Sequence, residues 1–222
     1  MKRYFIYPKF GEYQNTENFP EHTVYFPNIE NGMYATYFCN EHHFKPFYHI
    51  EYVLPILENE LKFGYKRTHF RIEEDFDNGN DISYLTTKKE FLFDIYDISS
   101  DNFIDNVNFQ YLRHNANKEH VGDLYKLTKY HQLFTFAHKS CQIINKTIDS
   151  NRILVVSCDS QMIPVLPVLC CYFKEVWILD KREDYLCDKT LNEINPSDII
   201  IAGGFYESNK YLHDNFTCLK QE

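Results

Sequence analysis

The sequence predicts an α/β protein: an SGNH-like, flavodoxin-like parallel sheet with crossover helices in the C-terminal half, and an aromatic-rich α+β portion before it. Three observations predict the sheet. Residues 152–157 (RILVVS) are an almost unbroken run of branched aliphatics, as expected of a parallel strand covered on both faces. Two further runs, 175–180 (EVWILD) and 198–204 (DIIIAGG), follow with helical or connecting segments between them, which is βαβ spacing. Near position 150 the composition also changes, from aromatic, polar and turn-rich to aliphatic.

In chain order, residues 4–8, 23–29 and 33–39 read as short extended pieces, punctuated by Pro20, Pro27, Asn31 and Gly32. Residues 46–63 carry apolar side chains at helical spacing (Phe47, Ile50, Val53, Leu54, Leu57, Leu61). Pro46 suits a first turn, Pro55 predicts a kink and Gly64 a stop. Residues 68–75 and 90–98 alternate as strands do, and 76–83 (FDNGNDIS) reads as a loop with Asn-Gly turn chemistry. Residues 99–123 have no clear period. Residues 131–148 predict a helix, with Leu133, Phe136, Ala137, Ile143, Ile144 and Ile148 near one face. Residues 160–173 predict an apolar helix in which Pro167 forces a kink or a late start. The expected division is an aromatic-rich portion at 1–119, packed on or integral to an α/β core at 120–222.

Composition narrows the function. The net charge of −9, with no basic cluster beyond pairs such as Lys66-Arg67 and Lys88-Lys89, argues against nucleic acid as a partner. No apolar stretch reaches the roughly 18 residues of a membrane span. Seven cysteines, with Cys170 and Cys171 adjacent and no CxxC pair, suit reduced thiols, so a cytoplasmic location is expected. The 18 tyrosines and 19 phenylalanines leave two readings open, a biased residue vocabulary or an aromatic-lined sugar cleft. No metal or other cofactor is expected. His42, His43 and His49, with Glu41 nearby, do not share a helix face, and Pro46 intervenes. His114, Glu119 and His120 form no better set, and the acidic run at 72–81 lacks the ligand spacing of a calcium loop.

The aliphatic run ends in Ser157-Cys158-Asp159-Ser160. A serine at the C-terminal end of a parallel strand stands where open α/β sheets bind ligands. Two readings of this turn are open on the residues alone: Ser160 or Asp159 as a helix cap, or Ser160 as a nucleophile beside free peptide N–H groups.

Read whole, residues 153–183 resemble the serine block of SGNH/GDSL-type hydrolases, in particular the branch containing alginate-type polysaccharide O-acetyltransferases. The matching residues are Asp159 and Ser160, Pro164, Phe173-Lys174-Glu175-Val176, Asp180 and Arg182. The resemblance implies Ser160 as nucleophile. It implies a base within 124–134 (LYKLTKYHQLF), where Thr128 matches, His131 is the base, and Lys129 and Gln132 replace the family's Asp and Trp. Cys158 stands where the family has glycine. Asp159 or Asp123 is then the candidate for an orienting acid, unless a Ser–His dyad operates. Cys158, Gln161, Gly203 and Gly204 are the expected substrate and oxyanion positions, with Glu207 and Asn209 close behind. The resemblance spans about residues 120–205 and implies O-acyl transfer or ester hydrolysis on a carbohydrate or acylated small molecule. Two rivals stand beside it: a catalytically silent SGNH-like scaffold in glycan assembly, and a nucleotide-binding doubly wound transferase. The second is disfavoured by the lack of GxGxxG or GxxxxGK[ST]. Oligomeric state has no sequence signal.

Overall fold

A computed structural model describes residues 2–7, 23–27, 44, 46–77, 80–87, 93–97, 112–113, 140–158, 160–162, 165–180 and 188–204. Its centre is one eight-stranded sheet in the order β2-β1-β10-β8-β9-β7-β5-β6. The strands are β1 (Lys2–Tyr7), β2 (Thr23–Tyr25), β5 (Phe93–Asp97), β6 (Leu112–Arg113), β7 (Cys141–Asn145), β8 (Ile153–Cys158), β9 (Glu175–Asp180) and β10 (Asp198–Gly204). A separate antiparallel pair joins β3 (Phe70–Asp77) to β4 (Asn80–Thr87). The five neighbours β2, β1, β10, β8 and β9 are parallel. Beyond β9, each of β7, β5 and β6 runs antiparallel to the strand before it. The sheet therefore takes strands from both ends of the chain.

The aliphatic runs at 152–157, 175–180 and 198–204 are β8, β9 and β10, within a residue of the sequence reading. Alternation along them builds two buried faces. On one, Leu154, Val156, Val176, Ile178, Ile200, Ala202 and Phe5 join a core with helix α2 (Leu54–Leu61) and helix α3 (Leu166–Cys170). On the other, Val155, Trp177, Leu179, Ile199 and Ile201 are buried outside that core, as are Leu191 and Ile194 of helix α4 (Asp188–Ile194). Chain direction explains the split. The β8–α3–β9 crossover steps one way along the sheet and β9–α4–β10 steps back, so right-handed crossovers put α3 and α4 on opposite faces.

The helix expected at 46–63 forms as α1 (Pro46–Tyr48), a π-turn at His49–Val53, and α2. Pro55, near the start of α2, has no N–H for the carbonyl four residues back, and the wider π-turn just before it takes up the mismatch. There the Leu54 N–H bonds to the His49 carbonyl. α2 ends at Lys62 in the left-handed region, two residues before Gly64 (φ 87°), so the stop falls close to the position expected. The Glu58 carboxylate caps this end, accepting the N–H groups of Phe63 (3.1 Å), Gly64 (2.8 Å) and Tyr65 (2.9 Å). α3 starts late, with Pro167 in its first turn where no N–H is missed.

Two expectations are corrected. Residues 131–148 were expected to be one helix, but Cys141–Asn145 is β7, buried and held between β5 and β9. A short apolar run does not separate buried strand from helix by its period, and the Ile143-Ile144 pair favours the strand. Residues 131–139 lie outside the described residues. The loop expected at 76–83 is also narrower, because β3 and β4 stay paired up to Asp77 and Asn80, leaving only Asn78-Gly79 between them. Asn-Gly is the signal of a two-residue hairpin connection, and the polar residues around it belong to strands. The extended piece expected at 33–39 lies outside the described residues.

Among the described residues, the rings of Phe63, Tyr65, Phe70, Tyr172 and Phe173 cluster beyond the end of α2. The Tyr65 hydroxyl donates to the Ile50 carbonyl (3.3 Å), and the Tyr172 hydroxyl accepts the Lys66 N–H (3.1 Å) and lies 3.1 Å from His69 Nδ1. Burial is the main cause that raises both phenols, Tyr172 to about 12 and Tyr65 further. Unfolded tyrosine loses its proton near pH 10. Both groups therefore add stability that is fully present below pH 10 and is lost as pH rises through their folded values. The melting temperature, followed by circular dichroism, is expected to fall between pH 10 and 12, and less steeply in Tyr172→Phe.

Candidate functional site

β8 lies between β10 and β9 among the parallel strands, and it ends at Cys158. The chain leaves β1 towards β2 and leaves β8 towards β9, in opposite directions, with β10 between them. Diverging connections open a crevice above the carboxyl ends of the strands, the usual ligand position of an open α/β sheet. The rim here carries Cys158, Asp180, Ala202, Gly203, Gly204 and Tyr7 in register.

After Cys158 comes a single 3-10 turn, Ser160–Met162, which packs against β10 rather than continuing into α3. The helix expected to open at Ser160 is therefore two pieces. Met162 is buried, and its carbonyl accepts the Val165 N–H (2.9 Å) before α3 begins. β10 also outruns β8. Its pairing with β8 ends at Ala202–Cys158, while its pairing with β1 continues to Gly204–Tyr7. Successive residues of a strand direct their peptide groups to opposite neighbours, so one of the two glycines presents its N–H and C=O on the side of the Ser160 turn.

Cys158 is buried in the apolar core with α2 and α3. The thiol thus fills core space. Cys170 and Cys171 are also buried, and burial pushes both thiols well above their ordinary value, which leaves them as inert packing.

The other expected site residues are placed unequally. His131, Asp159, Asp123, Glu207 and Asn209 lie outside the described residues, as do His42 and His43. Ser160 is located by its backbone just after β8 and Gly203 and Gly204 at the end of β10, and Gln161 is half-buried in the turn. His49 is fully buried among the rings of Phe44 and Tyr48. Among the described residues no group of three or more His, Cys, Asp and Glu side chains is placed to hold a metal ion, and no helix is long and apolar enough to cross a membrane.

Sequence reasoning missed the polar side chains under the opposite face of the sheet. Gln142 donates to Glu175 (2.7 Å), which also accepts the Trp177 indole N–H. Ser140, at the entrance to β7, and Ser157, near the end of β8, are fully buried. Ser157 could have been found as the one hydroxyl in an aliphatic strand. Gln142 was hidden by reading its segment as a helix.

No family model matches the sequence, and no curated protein matches it. Solved structures do share its fold. A DHHW family protein from Eubacterium siraeum aligns with 97% of this chain and 81% of its own, at a TM-score of 0.62 and 11% identity. Bacillus cereus PatB1 with a sulfonyl adduct aligns with 78% of this chain and 61% of its own, at a TM-score of 0.54 and 16% identity. A second PatB1 structure aligns over 86% and 72%, with a TM-score of 0.52 and 14% identity. At such identities the likeness is one of fold: the chain has an α/β fold related to these proteins.

Proposed function

We propose that the chain is an SGNH-like acyl-ester enzyme, with Ser160 as nucleophile and His131 as base, acting on a carbohydrate or its acylated precursor. The Ser160 hydroxyl oxygen attacks the ester carbonyl while the imidazole takes its proton. Peptide N–H groups at Gln161 and at the Gly203-Gly204 end of β10 stabilise the tetrahedral oxyanion. The alcohol leaves with the proton held by the imidazole. A sugar hydroxyl or water then gives its proton to the imidazole and takes the acyl group, and the imidazole returns that proton to the departing Ser160 oxygen.

The observation that best supports this reading is that the turn beginning at Ser160 follows β8 closely and packs against β10, which outruns β8 by two glycines. The correction at β7 is compatible with it. β7 runs antiparallel to β9, with Cys141 level with Ile178, so the chain enters it from the rim where β8 ends. The segment from His131 to Ser140, at up to ~3.3–3.6 Å per residue, is long enough to reach across that rim. The sulfonyl adduct of one fold neighbour gives weaker support, since sulfonyl reagents trap activated nucleophiles. The carbohydrate substrate comes from the sequence resemblance alone.

Treating the full chain with phenylmethanesulfonyl fluoride is expected to add one sulfonyl group, located by peptide mass mapping on the peptide that contains Ser160. Ser160→Ala is expected to take none. An unlabelled wild type that also fails to turn over p-nitrophenyl acetate would leave the silent scaffold as the better account.

A further inference from the structure

We draw no further inference here: the strongest candidate, the side-chain cluster of Gln142, Glu175 and Trp177 on the sheet face turned away from α2 and α3, holds a buried Gln142 Oε1 without a hydrogen-bond partner among the described residues, but nothing in the structure shows what covers it or which ligand would meet it.

Discussion

Replacing Ser160 by alanine is expected to lower kcat/KM for a p-nitrophenyl ester by about 10³-fold or more, as loss of a serine nucleophile does. Stability should change little. The substitution therefore separates the two readings of the turn. A serine that only caps the 3-10 turn would cost about 0.5–2 kcal/mol of stability on replacement and leave any ester turnover intact. A nucleophile gives the reverse pattern. Steady-state kinetics and a melting curve on the same preparations decide between them, and a rate within a few-fold of wild type would sink the enzyme reading.

Asp198→Ala is expected to destabilise the fold by about 2–4 kcal/mol. That is below the roughly 3–5 kcal/mol of a fully buried broken ion pair, because the two arginines involved are partly exposed. Asp198 opens β10 and is itself buried. Its carboxylate accepts Arg152 Nη2 at 2.6 Å and Nε at 3.2 Å, and Arg3 Nη1 at 3.3 Å. Arg152 also donates to the carbonyls of Leu61 (2.8 Å) and Lys62 (2.9 Å) at the end of α2, and its guanidinium lies 4.9 Å from the Phe173 ring centre. One carboxylate thus ties β1, the entry to β8, the start of β10 and, through Arg152, the end of α2 together at the N-terminal end of the parallel strands. Without it two guanidinium groups lose their counter-charge, and the join between helix and sheet loosens. Urea unfolding should show a lower midpoint with an unchanged slope, and Asp198→Asn should recover part of the loss. An unchanged midpoint would show that the cluster adds nothing to stability.

The sequence was most legible where one physical requirement decides the residues. A strand covered on both faces needs uninterrupted apolar side chains, so β8, β9 and β10 were read almost to the residue. Proline restricts the backbone and glycine frees it, so the irregularity near Pro55, the end of α2 and the late start of α3 were readable as well. The segment around Cys141–Asn145 was not. A short apolar run satisfies helix and buried strand equally, and its strand state is decided by β5 and β9, distant in sequence, which supply the partners for its peptide groups. The loop at 76–83 was misjudged for the reverse reason, since polar side chains do not prevent pairing when the backbone has a partner strand.

The candidate site divides in the same way. The local pattern determined by itself that an aliphatic strand ends in Ser157-Cys158-Asp159-Ser160 and that a second such strand ends in two glycines, because those are properties of contiguous residues. Only the tertiary structure decided that β10 outruns β8 by those two glycines, that the Cys158 thiol is turned into the core, and that Ser157 is buried without a partner among the described residues. Each of these depends on which strands pair and which face the helices cover. Those choices are set by the burial and hydrogen bonding of the whole sheet, and no short stretch of the chain contains them.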